Sequence, residues 1–435
     1  MNEMKTYSPF CSVLRREWKR MTARRLYFGV CVILPLFTLF FLATIFGNGQ
    51  MENIPIGVVD HDNSATSRSI VRRIAAVPTC RLTRRFVDET EARRAVQQKE
   101  IYGYLSIPPL FEQDALTGKD AVLSYYYHYA LLAVGSELMA AFETSLAEVS
   151  VAPIVLTAVS LGADKEQMAT FLLPVQASTH PIYNPGLDYA VYLSQPFFFV
   201  LLQILILLTT VYSVGIEVKT RTALGWIQTA GGDMVLAVAG KLLPYTCLFI
   251  LMGLLGNYVL FGIEHIPFEG SWWEMNLMTA LFVVSTQSLG VFIYALFPVL
   301  AYIISVVSMV GSLGATLSGI TFPVANMYPV VKGAATLFPV RHFTEITQTL
   351  LYADGGFAYF WPSAVSLCVF PLLALLLLPR LKRGIEKPEM GALTIRKIFG
   401  SLRKEFGSFT KNSEILQEEF GSLRRIDLGV LFGTD

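Results

Sequence analysis

The chain has 435 residues, 53% of them hydrophobic and 15% charged, well below the roughly 25% charged content of soluble domains, so lipid is an expected solvent. Its 34 Lys and Arg nearly balance 33 Asp and Glu, which gives no globally basic surface for nucleic acid and makes the placement of each sign the informative quantity. Cys11, Cys31, Cys80, Cys247 and Cys368 lack a CxxC or a nearby histidine at ligand spacing, so neither a zinc site nor a disulfide framework is indicated, and they read as packing residues.

In residues 1–25, Phe10, Leu14, Trp18 and Met21 share one helical face, with Arg15, Arg16, Lys19 and Arg20 largely opposite. This is the pattern of an amphipathic elbow helix lying in the membrane interface, its cations toward anionic headgroups. Uncharged apolar runs of about 20 residues mark candidate spans. Six are found, at 26–46, 191–215, 242–263, 275–297, 300–322 and 357–379, the fourth and fifth separated at Phe297-Pro298 within one charge-free stretch. No small-residue cleavage pattern follows the first run, so it reads as a retained anchor. Basic residues before the first span and after the last (Arg380, Lys382, Arg383, Lys387) put both ends in the cytoplasm by the positive-inside rule, and the acidic connection from Glu264 to Glu274 outside.

Between the first two spans, residues 47–189 read as an extracytoplasmic α/β domain. Strands are expected at 54–60, 82–87, 101–107 and 122–129 and helices at 64–77 and 88–100, the latter opened by an Asp88/Glu91 capping box, with a mostly helical stretch over 131–161. The predicted fold class is thus a membrane all-α bundle of six transmembrane helices with an inserted α/β domain. A tail at 381–435 carries FGS near-repeats at 399, 406 and 420 and receives no function.

No Asp, Glu, Lys or Arg falls inside a predicted span, which weighs against a proton-coupled transporter. Gln195, Gln203, Asn257 and Gln287 read as interhelical hydrogen-bonding groups. His61, His128, His180, His265 and His342 are far apart and fall in predicted outer segments as solvated residues; no catalytic or metal site is assigned. The inner loop between the second and third spans, within 215–240, starts helically and ends in Gly231-Gly232. Glu217 and Arg221 are spaced for a local ion pair, while Leu224, Trp226 and Ile227 are expected to be exposed anchors for a partner.

Here the residues resemble a known family. Glu217, Thr220, Thr222 and Leu224, then Gly240-Lys241-Leu-Leu-Pro244-Tyr245, look like the coupling segment of ABC transporter permeases of the type-2 exporter class. Ser318-Gly319 with Phe322-Pro323, and Leu337-Phe-Pro339-Val-Arg-His342-Phe343 in the outer segment 323–356, resemble that family's pattern too, and one span, a large outer domain and five further spans match its drug-type branch over about 10–385. The resemblance implies a type-2 ABC exporter fold and an exporter permease for an apolar or amphipathic substrate, drug-like or lipid-like. Its partners are then a cytoplasmic ABC ATPase subunit that binds ATP, a second permease copy in a homodimer or heterodimer, and, in a cell with two membranes, a periplasmic adaptor. Glu217, Lys219, Arg221, Thr222, Leu224 and Trp226 become the ATPase-coupling residues in the bacterial inner membrane, and this chain itself holds no cofactor. Gly240-Lys241 lacks the upstream glycine and following Ser or Thr of a phosphate-binding loop, so hydrolysis falls to the partner. The alternative reading is a membrane receptor or scaffold whose outer domain binds a ligand or envelope component and which signals through the tail.

Overall fold

The computed structural model describes residues 8–46, 51–117, 122–147, 184, 188, 190–352 and 356–386. The tail repeats, His180 and the part of the expected helical stretch beyond Ala147 lie outside the described residues. The chain divides into two compact units, one of them Ile45–Tyr192 and the other made of the residues on either side.

In the flanking unit, α1 (Pro9–Ala23) starts with Pro9 in its first turn and Ser8 as N-cap, the arrangement that satisfies free amides at a helix start. Arg24, with extended backbone, separates it from α2, the apolar helix Arg25–Ile45. Phe37 and Phe40 of α2 are 60% and 72% exposed, which suits a face toward hydrocarbon and not toward water.

The inserted unit contains, in order, β1 (Ile54–Asp60), α3 (Ala65–Ala75), β2 (Cys80–Phe86), α4 (Glu89–Gln97), β3 (Gly103–Ile107), α5 (Phe111–Thr117), β4 (Ser124–Tyr127) and α6 (Leu132–Ala147). The sheet order is β2-β1-β3-β4; β1 is parallel to both neighbours, and β4 is antiparallel to β3. Strand pleating sends Ile56 and Val58 to the side packed by Ile70 and Ile74 of α3 and Phe142 of α6, and Val59 to the side packed by Ala92 and Ala95 of α4. Alternation between two covered faces explains why β1 is almost continuously apolar. Asp88 caps α4 through the Glu91 amide at 2.8 Å, while the Glu91 carboxylate reaches back to the Val87 amide and not to that of Asp88. The edge strand β2 carries exposed Arg81, Arg84 and Arg85 and a register shift opposite Ile56 and Gly57, devices that discourage edge pairing.

The flanking unit resumes with α7, the helix Ala190–Lys219. Then come α8 (Ala223–Thr229), α9 (Met234–Ile263), α10 (Trp272–Leu296), α11 (Leu300–Leu317), α12 (Pro329–Ala335), α13 (Pro339–Tyr352) and α14 (Phe357–Glu386). Among the described residues, five helices are long and apolar enough to cross a membrane: α2, α7, α9, α10 and α14. The fifth expected span, 300–322, is shorter than expected. Its helix stops at Leu317, Gly319 turns the backbone into the left-handed region at φ 94°, and the apolar part is Tyr302–Leu317.

Buried faces of α7, α8, α9, α10, α11 and α14 share one apolar core around Leu207, Val211, Trp226, Ala237, Tyr294 and Leu378. Trp273, Tyr359 and Trp361, at the starts of α10 and α14, are 75%, 77% and 51% exposed, as in an aromatic belt at a membrane surface. The polar residues expected to join helices do so in three cases. Gln203 accepts from the Val340 amide at 3.0 Å, Asn257 donates to Asn276 and Thr279, and Gln287 accepts from Thr246 at 2.7 Å. Buried Gln195 has neither amide atom partnered among the described residues. Cys31 and Cys80 are buried, but Cys11, Cys247 and Cys368 are exposed, so packing describes only the first two.

Candidate functional site

α1 packs along α9 with a face other than the one its apolar stripe suggests. Val13 and Glu17 are buried, while Trp18 is 56% exposed. Close approach explains the choice: a Cβ at Gly240 of α9 would lie 3.2 Å from the Val13 side chain and 3.3 Å from the Phe10 carbonyl. Glycine thus admits the backbone of α1 where a larger residue would hold it away.

This rotation carries Glu17 to Lys241. The Lys241 ammonium donates to Glu17 Oε2 at 2.5 Å and to Glu217 Oε1 at 3.0 Å, and the Tyr245 hydroxyl donates to Glu17 Oε1 at 2.8 Å. Glu217 also accepts from Arg16 at 2.9 Å, from Arg20 and from the Thr222 hydroxyl. Lys241 and Glu217 are fully buried and Glu17 is 1% exposed. Withdrawing such charges from water costs several kcal/mol per ion, roughly, and only a closely paired, fully hydrogen-bonded arrangement offsets it. The Trp226 ring completes the enclosure, its centroid 5.2 Å from the Lys241 ammonium, where the ring face attracts a cation. Three cations thus surround two carboxylates. The surplus lies at the rim, where the Arg16 and Arg20 side chains are 30% and 17% exposed; the buried Arg16 Nη1 has no hydrogen-bond partner among the described residues.

Local backbone geometry brings α8 to the same place. At the end of α7, Thr220 donates to the Ile216 carbonyl, Arg221 adopts φ 56°, and the Thr222 amide returns to the Glu217 carbonyl at 2.9 Å. The reversal places the Thr222 hydroxyl on the carboxylate of Glu217. Further on, Trp226 donates its indole N–H to the Ala237 carbonyl at 3.1 Å, Gly231 and Gly232 take φ 70° and 84°, and Asp233 caps α9 through the Val235 amide at 2.7 Å. Lys382 of α14 donates to the Gly232 carbonyl at 2.6 Å. The short helix α8 is therefore fastened to α7, α9 and α14.

Several sequence expectations change. Trp226 and Ile227 are 0% and 5% exposed; both fill the space beneath α8 and are not surface anchors. Leu224 is 52% exposed, beside exposed Lys219, Arg221 and Gln228. Glu217 pairs with α1 and α9 in place of Arg221, because the φ reversal at Arg221 ends the helical spacing an i,i+4 pair needs. Arg16 and Arg20 turn inward to Glu217, leaving Arg15, Trp18 and Lys19 exposed. Glu217 and Lys241 both lie within long apolar helices, α7 and α9, since those helices run past the boundaries drawn from uncharged runs alone. Sequence reasoning passed over Glu17 and named Lys241 and Tyr245 only as part of the family-like segment, without their partners. The available signal was one acid in a basic helix and one lysine eight residues into an apolar one, two groups that each need a partner when buried.

Elsewhere, His342 is buried rather than solvated, with Nε2 3.0 Å from the Thr336 carbonyl, and burial holds its pKa below the ordinary imidazole value. His128 is half-buried, and His61 and His265 are exposed. Glu345, three positions on, accepts from Arg341 at 2.9 Å and Ser363 at 2.7 Å. Among the described residues, no group of three or more His, Cys, Asp or Glu is placed to hold a metal. Beside the ion cluster, α2, α7 and α11 line a largely apolar, partly open cavity of about 200 Å³.

Residues 25–378 match a family described as ABC-2 family transporter protein. A stretch of 109 residues is 29% identical to the "Inner membrane transport permease YhhJ" of Escherichia coli (strain K12), and equally to the protein of that name from Shigella flexneri. The similarity covers 24% of this chain and 28% of each relative, so it spans less than a third of the relatives' length. The family match, by contrast, runs from α2 into α14 and takes in Glu217, Trp226 and Lys241, and on that extent the chain belongs to the ABC-2 family of transporter proteins.

Proposed function

We propose that this chain is the membrane subunit of an ATP-driven exporter, moving an apolar or amphipathic substrate out of the cytoplasm or inner leaflet while a separate ABC ATPase subunit hydrolyses ATP. The observation that carries the reading is the fastening of α8 by the Glu17–Lys241–Glu217 cluster. A partner that displaces the exposed lip at Lys219, Arg221, Leu224 and Gln228 acts on α1, α7 and α9 together, because unpaired charges at the cluster cost more than moving the four elements as one body. Glu217, Thr222 and Trp226 are then internal struts of the coupling device, and Lys219, Arg221 and Leu224 its contact surface. Basic residues near the ends of α1 and α14 support a cytoplasmic orientation of this face in a bacterial inner membrane. A second permease copy supplies the other wall of the path, and a periplasmic adaptor is a further partner where an outer membrane exists.

The test is co-purification and transport with an ABC ATPase subunit co-expressed with this chain. Leu224→Glu is expected to release the ATPase while the permease remains folded, and Glu217→Arg to uncouple transport by disrupting the cluster. Retention of ATPase binding and of transport in both variants would overturn the assignment.

A further inference from the structure

The cavity beside the ion cluster has two unlike ends. Along its length it is hydrocarbon, floored by Leu205 and Tyr212 of α7 and walled by Tyr27 and Val30 of α2 and Ile304 of α11. The α2 wall from Leu26 to Leu34 covers about 12 Å at the helical rise of 1.5 Å per residue. Leu26 and Leu34 are 53% and 42% exposed, so the furrow opens sideways, toward the face that these apolar helices turn to the membrane.

At the α1 end the chemistry changes to positive charge. Leu26 directly follows Arg24 and Arg25, neither of which has a side-chain ion pair among the described residues. Tyr27 packs against Tyr245 with ring centroids 5.3 Å apart, and the Tyr245 hydroxyl is held by Glu17, so this end adjoins the cluster. The cluster itself holds three cations against two carboxylates, and the buried Arg16 Nη1 has no hydrogen-bond partner among the described residues. The exposed side of α1 next to it presents Trp18 and Lys19, residues suited to the headgroup layer.

We propose that this is a binding site for one anionic phospholipid of the leaflet that holds α1, its phosphate at Arg24 and Arg25 and one acyl chain in the furrow on α7. A free phosphate would answer the charge but leave about 12 Å of hydrocarbon groove empty. A zwitterionic lipid would fill the groove but leave the surplus cations unmatched. The proposal needs these helices to be in a membrane but does not depend on ATP or on the cargo.

The experiment is native mass spectrometry of the full chain in mild detergent, with phosphatidylglycerol, phosphatidylcholine and inorganic phosphate each added separately at equal concentration. Phosphatidylglycerol is expected to be retained preferentially, and Arg24→Gln with Arg25→Gln to lower its retention about fivefold per arginine, the weight of one basic residue at an anionic surface. Val30→Trp, which fills the furrow, is expected to lower retention of both lipids; if that variant does not fold, the arginine variants carry the test. Equal retention of the two lipids by the unsubstituted chain overturns the proposal, as does unchanged retention in the double arginine variant. Phosphate retained as well as phosphatidylglycerol identifies an adventitious ion only and overturns it too. None of these failures touches the exporter reading, which is judged by ATPase binding and transport.

Discussion

The Lys241 ammonium lies 2.5 Å from a Glu17 carboxylate oxygen that stands 224 positions earlier in the chain. Both groups are buried, and their pairing offsets part of the cost of withdrawing each charge from water. Lys241→Met is expected to destabilise the protein by about 3–5 kcal/mol, the usual cost of leaving one member of a buried ion pair alone. Adding Glu17→Gln should recover part of that loss, since it removes one stranded carboxylate. Thermal unfolding midpoints of the single and double variants in detergent check the coupling; strictly additive losses would contradict it.

Trp226 and Leu224 are two positions apart and should behave oppositely. Trp226→Ala empties a fully enclosed site and removes the hydrogen bond to Ala237, with an expected cost of about 3–5 kcal/mol. Leu224→Ala, on the exposed side of α8, should change stability by no more than about 0.5 kcal/mol while weakening ATPase co-purification. Measuring both properties on both variants separates strut from contact surface.

Gly240 sets how near α1 comes to α9. Gly240→Val should cost about 1–3 kcal/mol through overpacking against Val13 and should loosen α1. Limited proteolysis at Arg15, Arg16 and Arg20 of α1 is the readout, with faster cleavage expected in the variant as the two paired arginines come free.

In the inserted unit, Glu137 is 7% exposed, and burial raises its pKa above the ordinary 4.5. The folded state therefore binds this proton more tightly than the unfolded chain does. Its contribution to stability is fully present below pH 4.5 and is lost as pH rises through the raised folded value. Glu137→Gln should flatten that portion of the stability profile, making the variant relatively more stable at the upper end of the window. Unfolding midpoints across pH 4 to 7, roughly, in both proteins provide the comparison.

Local periodicity made the apolar helices and the core strands legible, because burial on a stripe or on both sheet faces leaves a repeat in the sequence. The break at Phe297-Pro298 was equally readable, since α10 ends at Leu296 and α11 starts at Leu300. What could not be read was long-range pairing. Nothing near Glu17 announces Lys241, and an amphipathic pattern names a hydrophobic stripe without saying that a glycine on another helix will select a different one. Trp226 was misplaced for the same reason: a tryptophan in a short polar loop looks exposed until α9 arrives to cover it. The end of α11 depended on one backbone reversal at Gly319, which composition alone does not reveal.

The separation of Glu17 from Lys241 also bears on biogenesis. At about 5–20 residues per second, translation leaves roughly 10 to 45 s between the two residues. Throughout that interval the acid on α1 has no lysine to meet, and the arginines beside it must also wait for Glu217. The nascent helix therefore stays hydrated at the membrane surface until α9 is made, and docking of α1 becomes a late event that registers the arrival of both distant helices. A substitution at Lys241 is consequently expected to show itself first as a defect in maturation, with chains cleared by quality control before any transport cycle begins.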